Sequence, residues 1–164
     1  MQIRKFKLDK PGKIDLVVPF LVDGEQIEVY GMVEADQPGE YRVTVLSDHV
    51  AKRTFGRVVI KGVASNGAKV SVDGMVKIGK EATKTDSFLE MRILLLDKKS
   101  SAVVEPKLEI ENNNVKASHA ATVGKIDEEQ IFYLTSRGVS EDDSKRLIID
   151  GFLKEIKEMV VIGE

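Results

Sequence analysis

Residues able to do chemistry are scarce in this 164-residue chain, and their spacing is easily surveyed. The run Gly74-Met75-Val76-Lys77-Ile78-Gly79-Lys80-Glu81 comes within one residue of a phosphate-binding loop. In such a loop, glycines let backbone N–H groups cradle phosphate, and a following hydroxyl holds magnesium. Here the hydroxyl position is Glu81, an anion that would repel a triphosphate. The segment also alternates like a strand and runs into Ala82-Thr83-Lys84-Thr85 instead of a periodic helix, so its glycines read as corners of a β structure. The two imidazoles, His49 and His119, have no second histidine at metal spacing, and a zinc site would need carboxylates gathered from elsewhere. Zero cysteines remove disulfides, thiol nucleophiles and self-supplied thiolates for zinc or an iron–sulfur cluster. No convergent set of acids, bases or nucleophiles emerges, and the expectation is a protein that is not an enzyme.

The elements that must position these residues fall into two regimes. From Ile14 to Val123 short, valine-rich alternating runs are punctuated by small polar turns; from Ile126 onward the period is helical. Asp23-Gly24 and Pro38-Gly39 have the composition of tight turns, and the first of them predicts a hairpin between Val17–Val22 and Ile27–Val33. Further short runs are expected at Arg57–Lys61, Lys69–Asp73, Met75–Gly79, Arg92–Leu96, Ala102–Val104, Leu108–Ile110 and Val115–Val123. Ser65-Asn66-Gly67, Asp73-Gly74, Lys98–Ser101 and Asn112–Asn114 separate them. Equal short strands with Asn and Gly turns suit a parallel β-helix, and on spacing alone an antiparallel sandwich suits them as well. Within Val115–Val123, His119 shares a face with Val115, Ala117, Ala121 and Val123. That alternation favours a core or interface imidazole hydrogen-bonded to backbone, with a ligand or proton-handling role as the sharper alternative.

The tail is helical by its caps. Asp127 with Gln130 has capping-box spacing and Gly138 is a stop; Ser140 with Asp143 opens a second helix. Ile148, Ile149, Phe152, Leu153, Ile156, Met159 and Val160 form one apolar stripe, interrupted by Gly151 at a cost of about 1 kcal/mol against alanine. Packing of this stripe on the chain's own sheet is favoured over a partner surface. Net charge of −2 and a balance of 25 Lys+Arg against 27 Asp+Glu give no footprint for nucleic acid or an anionic membrane. The most apolar stretch, Leu16 to Val22, is bracketed by Asp15 and Asp23 and falls far short of the about 20 residues that span a bilayer. No membrane partner and a cytoplasmic location are therefore expected.

The segment Pro106-Lys107-Leu108-Glu109-Ile110, followed by Asn114 through Gly138 (NVKASHAATVGKIDEEQIFYLTSRG), resembles the signature of the SufB/SufD family, the scaffold subunits of the SUF iron–sulfur cluster assembly system. Gly79–Asp86 and Leu94–Leu96 fall where that family places similar stretches, and the likeness runs from about His49 to Glu158. The resemblance implies a mainly β fold: a right-handed parallel β-helix (a single-stranded solenoid) followed by a small C-terminal helical domain. Its segments would be a shortened N-terminal β segment (1–47), a β-helix core (48–125) and the helical domain (126–164). It implies pairing through the β-helix with a second SufB/SufD-like subunit, or with itself as a homodimer. It also implies docking of a SufC-type ABC ATPase on the terminal helices, with Asp127, Glu128, Gln130, Phe132, Tyr133, Arg137 and Phe152 as candidate contacts. His119 matches the family's functional histidine. The departures matter equally. Ala117 stands where the SufD-type pattern has Cys; Ser118 and Ala120 stand where the SufB-type pattern has Glu; and Met91 lies near the position of the sulfur-receiving Cys. The chain alone would bind no cofactor, and iron or a cluster would be met transiently at a subunit interface. A structural interaction module that kept the fold and lost the cluster chemistry is the alternative.

Overall fold

In a computed structural model, which describes residues 1–161, the alternation resolves into nine strands and two helices. The strands are β1 (Gln2–Leu8), β2 (Gly12–Phe20), β3 (Gln26–Ala35), β4 (Gly39–His49), β5 (Phe55–Ala64), β6 (Ala68–Ile78), β7 (Asp86–Leu95), β8 (Ser101–Ile110) and β9 (Lys116–Lys125). Odd-numbered strands form one sheet in the order β1-β3-β5-β7-β9, and even-numbered strands form a second in the order β2-β4-β6-β8. Every pairing is parallel. The chain therefore alternates between two facing sheets and climbs one strand at each pass, a β-solenoid of about four turns.

Register shows why this sequence stacks. Val29 pairs with Val58, Val58 with Leu89 and Leu89 with His119, so each inward residue lies on its equivalent one turn earlier. The facing sheet does the same with Ile14, Val43, Val72 and Val104. In β4, buried Tyr41, Val43, Val45, Ser47 and His49 alternate with more exposed Arg42, Thr44, Leu46 and Asp48, the period-two signature of a strand with one face inside. Tyr41, Val43 and Val45, together with Phe20, Ile60, Ile78, Leu89, Met91 and Ile93, belong to one continuous core between the sheets.

Several sequence expectations are corrected here. Asp23-Gly24 is a turn, with Gly24 at φ 78°, but it joins strands of different sheets rather than an antiparallel hairpin. Asp73-Gly74 is no turn at all: β6 runs straight through it. A Cβ on Gly74 would lie 2.6 Å from Met91 Sδ, so the glycine clears space for a large side chain on the opposite wall. Ala102–Val104 and Leu108–Ile110 are likewise one strand, continuous through Pro106. β1 escaped the sequence reading because its inward set, Arg4, Phe6 and Leu8, is interrupted by a charge and interleaved with lysines. Ser65-Asn66-Gly67, Lys98–Ser101 and Asn112–Asn114 are corners, as expected, and they bond from turn to turn. The Asp97 carboxylate accepts from the N–H groups of Asn66, Lys99 and Ser100, and the Asn112 side chain donates to the Lys80 carbonyl.

One corner of the interior is polar. His49 is fully buried, stacked on Phe20 with ring centroids 3.9 Å apart, and occupies space that a side chain at Gly56 would fill. Its Nδ1 lies 2.8 Å from Thr54 Oγ1, and its Nε2 lies 3.1 Å from Ser87 Oγ and 3.2 Å from Ser47 Oγ. Thr54 reaches Thr85 at 3.0 Å. A neutral imidazole donates once and accepts once, and hydroxyls rotate to complement either tautomer, so the network is satisfied without charge. Burial pushes the imidazole down to about 4 from 6.5.

The helices are α1 (Glu128–Thr135) and α2 (Glu141–Val160). The Asp127 side chain caps α1 by accepting from Glu129 N; the Gln130 half of the expected capping box is not part of the cap. Ser140 accepts from Asp143 N and donates to the Asp143 carboxylate, so this pair opens the second helix as read. Leu153, Ile156 and Val160 of α2 are buried against Tyr30, Met32 and Val59 on the outer face of β3 and β5, with Ile149, Phe152 and Met159 at the margin. Glu155 adds ion pairs to Arg57 (3.2 Å) and Lys61 (2.7 Å), and the Lys61 ammonium holds its carboxyl below the usual range. The stripe thus packs on the chain's own sheet.

Two outcomes follow. An unfolded chain takes up a proton on His49 below pH 6.5 while the folded chain refuses it until about 4. Stability is therefore full above pH 6.5 and falls through that window by up to about 3 kcal/mol. Urea unfolding followed against pH should show the slope, and His49→Gln should flatten it. Leu153→Ala should cost about 2–4 kcal/mol in the same assay, whereas Phe132→Ala, on an exposed helix surface, should stay within about 0.5 kcal/mol.

Candidate functional site

Parallel stacking leaves a free edge at each end of a solenoid, and an open edge is a row of unpaired N–H and C=O groups. Among the described residues β9 pairs only with β7, and β8 only with β6. Lys116 N donates to Thr85 O and Ile126 N to Leu95 O, so even-numbered residues of β9 face β7. The backbone groups of Ala117, His119, Ala121 and Val123 then point to the free edge. No proline interrupts that row. In β8, Glu111 N donates to Ile78 O, which places Pro106 on the outward side, where the strand lacks a donor. Only β9 therefore offers an unbroken edge at this end.

The opposite end differs. Phe20 O accepts from Val50 and Ala51, so Pro19 of β2 faces outward and breaks that edge. Arg4 Nη1 donates to Val17 O at 3.3 Å, tying β1 to β2 across the mouth, and Phe6 lies over the backbone of Gly31. The first turn is thus bridged across its mouth, although β1, like β9, is paired on one side only among the described residues.

His119 sits on the open turn. Its register, over Leu89, is the inward one that alternation predicted. It is nonetheless exposed, and among the described residues it makes no side-chain hydrogen bond. The expected core histidine is His49 instead. The reason is that β9 has no strand above it, so a residue pointing inward there still meets solvent. Ala117 and Ala121 beside it are small and half-buried, over Ser87 and Met91. No cluster of three His, Cys, Asp or Glu side chains occurs among the described residues, so this rim supplies a single imidazole toward any iron.

The helical hairpin forms a second surface, reached from β9 through Ile126 and Asp127. No residue of α1 is buried. Phe132 is 74% and Tyr133 54% exposed, the Arg137 guanidinium stacks 4.4 Å over the Tyr133 ring, and Leu147 of α2 is also exposed. Asp127, Gln130, Tyr133 and Leu134 line a shallow groove with Ile148. Glu128 lies apart from it, in a cleft with Leu95, Leu96, Ile126 and Ile131. Phe152 belongs to the anchoring face of α2. The candidate contacts therefore divide: Asp127, Gln130 and Tyr133 share the groove and Arg137 joins them by its contact with Tyr133, Phe132 is exposed outside the groove, and Glu128 and Phe152 lie elsewhere. Leu147, missed by the sequence reading, could have been found as the apolar residue that falls off the α2 stripe. His119 joins the hairpin only along the chain.

No described helix is long and apolar enough to cross a membrane. Comparison with known proteins agrees with the geometry. Residues 14–152 match the family model for the SUF system FeS cluster assembly SufBD core domain. The iron–sulfur cluster assembly protein SufB of Bacillus subtilis is 39% identical over 106 residues, which is 65% of this chain and 23% of that protein. SufBD family iron–sulfur cluster assembly proteins of Staphylococcus haemolyticus and Staphylococcus aureus match over the same shares, at 39% and 38% identity. The chain thus spans about a quarter of the length of these curated relatives. A solenoid of parallel turns, an open last strand bearing His119 and a matched stretch that covers most of both regimes lead to one statement: this chain belongs to the SufBD core family of the SUF iron–sulfur cluster assembly system.

Proposed function

We propose that the chain is a non-catalytic, cytoplasmic scaffold subunit of a SUF-type assembly complex. In this reading the helical hairpin docks a SufC-type ABC ATPase, and β9 pairs with a second SufB/SufD-like subunit or with a copy of itself. His119 then faces iron or a nascent cluster, the cargo, at the interface. The observation that carries the reading is that the fold leaves unsatisfied, among the described residues, an unbroken strand edge around His119 and a helix, α1, with exposed aromatic residues and no buried one. Edge-to-edge pairing satisfies the first with backbone hydrogen bonds. Exposed Phe132, Tyr133 and Arg137 are residue types that dominate the energetics of interfaces.

The alternative, an interaction module that kept the fold and shed the chemistry, draws on Ala117 and on the absence of cysteine. Both readings share the docking and differ in metal.

Phe132→Ala combined with Tyr133→Ala should weaken co-purification with the cognate ATPase by tenfold or more, on the order of a hot-spot loss, and leave the melting temperature unchanged. Retained binding would count against the hairpin as the dock. Anaerobic reconstitution of the assembled complex with iron and sulfide separates the two readings. His119→Ala should lower bound iron if the imidazole is a ligand, and equal iron in wild type and variant leaves the structural module.

A further inference from the structure

The helix α2 changes character at Gly151. On its C-terminal side Leu153, Ile156 and Val160 are buried on the sheet, and Glu155 is pinned by Arg57 and Lys61. On its N-terminal side, Glu141 to Asp150, the one buried residue is Ser144, whose hydroxyl donates to Ser140 O at the helix's own start, and the sheet cluster is met only by half-buried Ile149 at its margin. Gly151 itself is exposed and carries no positive φ. A Cβ built there meets no atom within 4 Å. Neither close packing nor backbone geometry accounts for the glycine; what remains is its softness in a helix interior. One ion pair, Asp150 to Lys157 at 2.7 Å, spans the position, and both side chains are over a third exposed, so it is a weak tether.

We propose that Gly151 is a hinge. The second half of α2 is the fixed arm, and the first half with α1 is the moving arm. α1 buries nothing and follows β9 after Ile126 and Asp127, and β9 is hydrogen-bonded on one side among the described residues. A bend at Gly151 therefore reaches the strand that carries His119, while β3 and β5 stay under the fixed arm. The hinge is a property of the chain by itself and stands whether or not the hairpin docks an ATPase.

Hydrogen exchange of the intact chain tests it, because local opening is read segment by segment. Gly151→Ala should slow exchange about fivefold in residues 141–150, in α1 and in β9 together, with residues 153–160, β3 and β5 unchanged. Glu158→Ala, an exposed change in the fixed arm, should leave α1 and β9 as they are. Slowing confined to a single turn around residue 151, uniform slowing of the whole chain, or the same response to Glu158→Ala would each overturn the hinge. None of these outcomes bears on ATPase binding, so failure here and failure of the docking reading are separable.

Discussion

In-register parallel stacking is the constraint from which the rest of this molecule follows. Each inward side chain must lie on its equivalent one turn below, so the interior is a set of columns, and volume is conserved along and between them. Where one column carries a bulky group, a neighbour gives way: Gly74 for Met91, and Gly56 for the His49 imidazole. The same constraint explains why His49 is neutral. Ser47, His49, Thr54, Thr85 and Ser87 are shut off from bulk solvent, and their side chains satisfy one another. Charge is carried on the outer faces, where Lys107 bridges Asp73 and Glu105 and Lys77 bridges Glu109.

A stack of this kind has no lateral edge problem and two terminal ones. The chain treats its two ends oppositely. At the first turn Arg4 crosses the mouth and Pro19 deletes an outward donor. At the last, Pro106 deletes a donor from β8 while β9 is left continuous, small-sided and open. That asymmetry makes the last turn, which bears His119, the more open of the two ends, although the outer edge of β1 is also unpaired among the described residues. Because β9 runs into α1 with two intervening residues, whatever happens at the helices is mechanically close to that edge.

Much of this was legible in the residues. Alternation in Val115–Val123 gave a strand and its faces, Asn and Gly clusters gave corners, and the Ser140–Asp143 start with its apolar stripe gave α2 and its self-packing face. What could not be read was partnership. Parallel and antiparallel strands have the same period, so spacing alone left solenoid and sandwich equal, and resemblance of the Pro106–Gly138 segment decided between them. Exposure failed for the same reason. An inward-facing histidine is buried only if another turn covers it, and His119 in the last turn and His49 in an inner one carry indistinguishable local patterns. Gly74 misled because a glycine that makes room on the far wall looks, in one dimension, like a glycine that turns.

The single imidazole at the rim links oligomeric state to chemistry. A two-fold pair of identical chains is isologous, so each copy brings the same residues to the axis. Two His119 side chains would then be two donors, with Ala117, Ser118 and Ala120 adding no thiolate or carboxylate beside them. A cluster iron is normally held by four protein ligands per cluster, most of them thiolates. Self-pairing therefore leaves any cluster about half-ligated, whereas a cysteine-bearing relative across the β9 edge would complete it. Under the proposed reading, the identity of the partner at the edge therefore bears on the chemistry: a cysteine-bearing one would bring the thiolates that this chain lacks, and an identical one would not.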